Sequence, residues 1–305
     1  MGNISDALRR AQEEREALRQ RRLQEEAAAV PPGPVATAES PAATEAPAVA
    51  QPVTEEAPPN DLPVVELENL APSFVAWHDR GAAASEQYRS LRTRLMNLNE
   101  KREPMTLAIT SSMTGEGKTT TTLNMALTFA ELRHLKILAI DGDLRRCSLT
   151  HELGCAESRG VAEVLRGEAD LTAVIRRTSL ANLHFLPAGH LGKRNAAELL
   201  GSRACEELIN EVRRRYHYAL LDLPPANAIA DASIIGAHCN GAILVIRMHR
   251  TPEPNVKHAM RLLESSNVRV LGCVLVGQRH WKAPWLHEYG YGYDYHGAYT
   301  GYQPY

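Results

Sequence analysis

The stretch Ser111-Ser112-Met113-Thr114-Gly115-Glu116-Gly117-Lys118-Thr119-Thr120 lies between an apolar β-type run at 106–110 and a helical pattern at 118–132. At this junction a strand must end, the backbone must curl through conformations that glycine tolerates, and a helix must begin with its free N–H groups facing the curl. Those N–H groups and the helix dipole form an anion cradle. A lysine at the position of Lys118 reaches the outer phosphates of a nucleotide, and a hydroxyl at Thr119 suits Mg²⁺. The spacing therefore marks Gly115, Glu116, Gly117, Lys118, Thr119 and Thr120 as a phosphate-binding loop, with Ser112 standing where the strict pattern has Gly.

Further β-type runs at 136–140, 183–186, 218–221, 242–247 and 270–276 alternate with helical patterns at 202–215, 231–237 and 253–265. Strands that alternate with helices predict an α/β fold, a P-loop NTPase with a mainly parallel sheet flanked by helices on both faces. Two of these strands end in acids: Ile140-Asp141-Gly142-Asp143-Leu144-Arg145, and Leu221-Asp222-Leu223-Pro224-Pro225. Ligands collect at the carboxyl ends of strands in such sheets. Phosphoryl transfer needs carboxylates around a metal and one more to accept a proton from the attacking hydroxyl. Asp141, Asp143 and Asp222 supply that chemistry, so the candidate catalytic set is Lys118, Asp141, Asp143 and Asp222.

Outside this region the chain reads differently. Residues 1–28 are rich in Ala, Leu, Glu, Arg and Gln and predict a solvated or docking helix. Residues 29–72 hold ten of the eighteen prolines, with too little bulky apolar surface to offset ordering, and read as a disordered linker. The P-loop domain is expected over 73–278, opening with a helix at about 84–100. Residues 279–305 form a Gly- and Tyr-rich tail. A formal net charge of -2 offers no basic field for nucleic acid, so none is expected as a partner. Five scattered cysteines fit no zinc or redox spacing and favour a reducing cytoplasm. The longest strongly apolar run, of about six residues, is far short of a membrane span, and the N-terminus lacks the apolar core of a signal peptide.

Seven of the ten tyrosines, Tyr289, Tyr291, Tyr293, Tyr295, Tyr299, Tyr302 and Tyr305, fall in the last seventeen residues. Gly, Asp and His separate most of them, with no apolar surface to pack against. Such phenols suit a substrate role, since each phosphate would add roughly two negative charges; a sticky docking tail is the plainer alternative.

Together, the Gly115–Thr120 loop, the strand ending Asp141-Gly142-Asp143-Leu144-Arg145, the strand ending Asp222-Leu223-Pro224 and the terminal tyrosines resemble the bacterial tyrosine autokinases of capsule and exopolysaccharide systems. The resemblance spans roughly residues 84–305. It implies ATP and Mg²⁺ as cofactors, with Lys118 and Thr119 on phosphate and metal. It further implies Asp141 as the base, Asp143 and Asp222 around the metal, and the seven tail tyrosines as autophosphorylation sites. Glu86-Gln87-Tyr88-Arg89-Ser90-Leu91-Arg92 is similar to the family's ring-assembly helix, so Glu86, Arg89 and Arg92 are implied in oligomerisation; ordinary intrahelical pairing is the alternative. The resemblance implies a ring-shaped homo-oligomer, a separate membrane activator of the polysaccharide co-polymerase type, an opposing protein-tyrosine phosphatase, and a cytoplasmic location at the inner face of the membrane. Cys147, Leu223 and Val276 stand where relatives often carry Pro, Thr and Asn. Two other readings compete: a catalytically silent nucleotide-gated scaffold, and a partitioning-type ATPase, whose signature lysine would fall at Met113.

Overall fold

The computed structural model describes residues 64–277. Eight strands form one sheet in the order β1-β4-β5-β3-β6-β2-β7-β8. They are β1 (Val64–Val65), β2 (Met105–Ser111), β3 (Ile137–Asp141), β4 (Arg176–Thr178), β5 (Leu183–Leu186), β6 (Tyr218–Asp222), β7 (Gly241–Arg247) and β8 (Val270–Val276). All neighbours are parallel except β4 and β5. Every residue of β2, β3 and β6 is buried, which explains their near-continuous apolar sequences: a parallel strand covered on both faces has no polar side to show.

Ten helices occur among the described residues: α1 (Val75–His78), α2 (Ala83–Leu98), α3 (Lys118–Ala130), α4 (Ser148–Glu152), α5 (Val161–Leu165), α6 (Leu171–Val174), α7 (Ala196–Leu200), α8 (Arg203–Arg215), α9 (Asp231–Gly236) and α10 (Glu253–Ser265). Two apolar clusters sandwich the sheet. One joins α2 and α3 to the strands through Leu95, Leu123, Leu127 and Phe129. The other, on the opposite face, gathers α5, α7, α8, α9 and α10 around Leu165, Leu199, Leu208, Ile235 and Leu263. The helix α8 shows how sequence dictates this: Cys205, Leu208, Ile209 and Val212 recur at helical spacing and are its buried residues.

The predicted fold class and the strands at 106–110, 136–140, 183–186, 218–221, 242–247 and 270–276 are present with ends shifted by at most a residue or so. The domain boundary is not where composition put it. Val65, Leu67 and Leu70 are buried in the same cluster as α3, and β1 pairs in parallel with β4, so the fold begins no later than Val64 rather than at residue 73. Proline and alanine content averaged over 29–72 masked a short run whose bulky side chains bury well. The buried Asn124 on α3 fixes this arm, accepting from Ala76 N at 2.9 Å and donating to Ser73 O at 3.1 Å. The antiparallel β4, Arg176-Arg177-Thr178, carries no apolar pattern by which a sequence could announce it. The helix read at 1–28 and the tail at 279–305 lie outside the described residues.

On β5, His184 is 8 % exposed and its Nδ1 lies 2.8 Å from the Tyr216 hydroxyl. Burial, then the nearby Arg177 and Lys136 charges, push its pKa down from 6.5 to about 4. The unfolded chain therefore takes up this proton first. Because the folded value is the lower one, the contribution of neutral His184 is complete above about pH 6.5, falls as pH drops towards about 4 and then levels off; its ceiling is about 3 kcal/mol. Urea melts should show the His184→Asn variant losing less stability than the parent protein between pH 6.5 and 4.5. Equal losses in the two would remove His184 from the acid sensitivity.

Candidate active site

The sheet order makes the site. With β6 between β2 and β3, the phosphate loop after β2 lies beside both acid-bearing strand ends, and Asp141 stands opposite Asp222 in register. The loop turns through Gly115 at φ 79° and Gly117 at φ 92°, left-handed values that favour glycine, and Gly117 caps α3. Gly142 is needed for a different reason. A Cβ there would come within 2.6 Å of Leu223, and its N–H donates to Asp222 O at 2.9 Å, tying the two acidic loops together.

The acids are almost dry: Asp141 and Asp222 are 0 % exposed and Asp143 1 %. Lys118 Nζ lies 3.3 Å from Asp143 Oδ2 and 3.3 Å from each Asp222 oxygen. The Thr119 hydroxyl donates to Asp222 Oδ2 at 2.6 Å. Asp141 Oδ2 accepts from both the backbone N–H and the hydroxyl of Thr150, at 2.8 and 2.7 Å, while Oδ1 accepts from Asp143 N at 3.2 Å. Burial first, then the Asp222 charge, push Asp141 up to about 7, and burial raises Asp222 as well.

Two carboxylates contact one ammonium here with a third, Asp141, beside them, and Asp143 Oδ2, although close to Lys118, has no hydrogen bond. An unsatisfied buried oxygen costs about 1–3 kcal/mol, and a divalent cation removes that deficit. Among the described residues no group of three or more His, Cys, Asp or Glu side chains forms a metal cage. Mg²⁺ needs no such cage, since it uses one or two protein oxygens and completes its shell with water and substrate phosphate. Thr119, Asp143 and Asp222 fit it.

Glu116 differs from the other loop residues. Its carboxylate is 1 % exposed and turns inward, accepting from Ser112 Oγ, from Met113 N at 2.9 Å and from Thr251 Oγ1. The side chain braces the loop and leaves only its backbone to face phosphate. Thr150, Thr251, Asp231, which receives Arg145 Nε at 2.8 Å, and Arg247, which donates to Gly115 O at 3.2 Å, also shape the site. None of these sits in a local motif, so sequence reasoning missed them.

Glu86, Arg89 and Arg92 are brought together far from the acids, at the carboxyl end of α3. Arg89 pairs with Glu86 at 3.0 Å and with Glu131 at 2.9 Å, and Arg92 with Glu131 at 3.0 Å. Arg92 also donates to Thr128 O. A cavity of about 560 Å³ beside Arg89 is lined by Trp77, Arg80, Glu131 and Arg133, and is separate from the phosphate loop.

This fold and site define a P-loop nucleotide enzyme. The family model described as an AAA domain matches residues 105–249. Tyrosine-protein kinase YwqD of Bacillus subtilis strain 168 is 33% identical over 219 residues, 72% of this chain and 90% of that protein. The kinase domain of the Escherichia coli tyrosine kinase ETK shares the fold with a TM-score of 0.64 at 30% identity, over 72% of this chain and 84% of that one. The septum site-determining protein MinD of Pyrococcus horikoshii, complexed with Mg-ADP, gives 0.50 at 27% identity, over 58% and 72%. The chain belongs to the bacterial tyrosine-protein kinases.

Replacing Glu116 by Ala removes the acceptor shared by the buried Ser112 Oγ and by Met113 N and Thr251 Oγ1 at the edge of the loop. We expect a loss of about 2 kcal/mol in urea unfolding, and the Gln variant should retain part of it. An unchanged midpoint would show that the brace carries no energy.

Proposed function

We propose that this chain binds Mg-ATP at the Lys118 site and transfers the γ-phosphoryl group to Tyr289, Tyr291, Tyr293, Tyr295, Tyr299, Tyr302 and Tyr305 of a neighbouring copy. The observation that carries this reading is the acid cluster around Lys118, in a domain whose own tyrosines are buried at two positions and half-buried at the third. Tyr216 and Tyr218 are 3 % and 5 % exposed, and Tyr88 packs against the α2–α3 cluster. A domain whose own phenols are withdrawn to this degree supports the terminal seven, offered by a neighbouring copy, as the acceptors.

Each residue then has a role. The backbone N–H groups of the loop and Lys118 hold the phosphates. Thr119, Asp143 and Asp222 would hold Mg²⁺, which when bound would supply positive charge beside the phosphates. Asp141, oriented by Thr150, accepts the phenol proton through Oδ1, its less engaged oxygen. The domain that includes residues 64–277 performs catalysis, and residues 279–305 receive phosphate. In this reading the protein regulates exopolysaccharide or capsule synthesis and export. It acts from the cytoplasm at the inner face of the membrane, with a separate polysaccharide co-polymerase type of activator and a phosphatase that resets it; the family resemblance supports this setting. No helix among the described residues is long and apolar enough to cross a membrane. Met113 in place of a signature lysine speaks against a partitioning ATPase.

Intact mass with peptide mapping after incubation with Mg-ATP tests the transfer. Successive gains of about 80 Da, one phosphoryl group each, should map to Tyr289 through Tyr305. Changing all seven to Phe should abolish most of the gain while ATP binding persists, with Lys118→Met as the zero. Phosphate remaining on Tyr88, Tyr216 or Tyr218 would overturn the tail as substrate; no gain despite ATP binding would favour a scaffold.

The ring is tested separately. Changing Arg89 and Arg92 to Ala should shift the protein towards monomer in light scattering. Because both arginines also join α2 to Glu131, a thermal melt must accompany the measurement; an unchanged mass in a folded variant discards the assembly role.

A further inference from the structure

The outer rim of the phosphate loop carries a group that the proposed mechanism does not use. The chain leaving β7 bends sharply through His249 at φ 60°. The bend is held by Thr251 N and Arg250 N, which donate to Arg247 O at 3.0 and 3.3 Å, and by Arg247 N, which donates to Thr251 Oγ1 at 3.2 Å. Thr251 in turn donates to Glu116, and Arg247 Nη1 donates to Gly115 O at 3.2 Å. The bend and the loop are thus stitched together at two successive residues.

This stitching places Arg250 against the loop. Its guanidinium Nη1 lies 3.6 Å from the position a Cβ would take on Gly115, and Val276 Cγ2 lies 3.6 Å from the corresponding point on Gly117. Arg250 is exposed, and its guanidinium makes no ion pair or hydrogen bond among the described residues. The terminal phosphate end of a nucleotide belongs at Lys118, Thr119 and the buried acids. A nucleoside whose phosphates sit there extends past the rim of the loop, where Arg250 borders Gly115 and Val276 borders Gly117.

The geometry points to Arg250 as a nucleoside-contacting residue, one that stacks on the purine face or donates to the ribose hydroxyls while Val276 gives the opposite, apolar contact. A guanidinium suits both tasks because it is planar, weakly hydrated and carries several donors in a fixed fork. Arg247 is already committed to the Gly115 carbonyl and Thr251 to Glu116, so Arg250 is the member of the bend left for the ligand. The inference rests on the nucleotide reading of this site and deepens it.

Titration calorimetry of the full chain with Mg-ADP and with Mg-tripolyphosphate separates the possibilities, since only the first ligand has a nucleoside. Arg250→Ala should weaken Mg-ADP about tenfold while tripolyphosphate changes by less than about twofold, and Arg250→Lys should fall between because it keeps the charge and loses the plane. An equal loss for both ligands would make Arg250 a phosphate contact and overturn the assignment. No change for either would make it a solvated surface charge. If the parent protein binds tripolyphosphate but not Mg-ADP, the nucleotide reading itself fails before Arg250 is in question.

Discussion

The contact on which the rest of the site depends is that of Lys118 with Asp143 and Asp222. An ammonium and two carboxylates in a nearly dry setting are costly to hold unless each is fixed by other bonds. Here the fixing is distributed. Thr119 holds Asp222 from the same helix turn as Lys118, Arg146 N donates to Asp143 Oδ1 at 3.1 Å, and Gly142 N binds Asp222 O. The strand order places these groups together, and the close packing of Gly142 on Leu223 keeps them there. An Asp143 oxygen that has the Lys118 charge beside it but no hydrogen bond, and a raised Asp141, are what a cluster short of positive charge should show.

Much of this was legible in the sequence because the informative residues sit at the ends of apolar strands. The loop through Gly115 and Gly117, Lys118, Thr119, Asp141, Asp143 and Asp222 all follow strong β-type runs, where a local pattern tells both element and position. The sheet class and the main helices were readable for the same reason. Thr150, Asp231, Arg247 and Thr251 were not, because each reaches its partner across the fold and carries no periodic signal of its own. β1 and β4 were hidden by shortness, and Glu116 by a different ambiguity: sequence gives its place in the loop but not the inward turn of its side chain.

The two faces of the sheet carry different duties. The face covered by α2 and α3 begins at the phosphate loop and ends at Glu131, where Arg89 and Arg92 converge. A single helix therefore links the phosphate end of the site to the surface read as an assembly contact, and its buried Asn124 also anchors the arm that starts at Val64. The opposite face, with α8 and α10, packs a broad apolar cluster and leaves the bend at Arg247–Thr251 to grip the loop from outside.

The burial of Tyr216 and Tyr218 and the half-burial of Tyr88 bear on how selectivity arises. Recognition of a residue pattern around the acceptor matters less when the fold has already withdrawn most of the competing phenol surface of its own domain. Under the proposed function, choice is made by accessibility, and the tail is free to vary in spacing and neighbours provided that its tyrosines stay reachable. Folding integrity and fidelity then become one property: a subunit that loosens its core would offer the wrong acceptors to its neighbours.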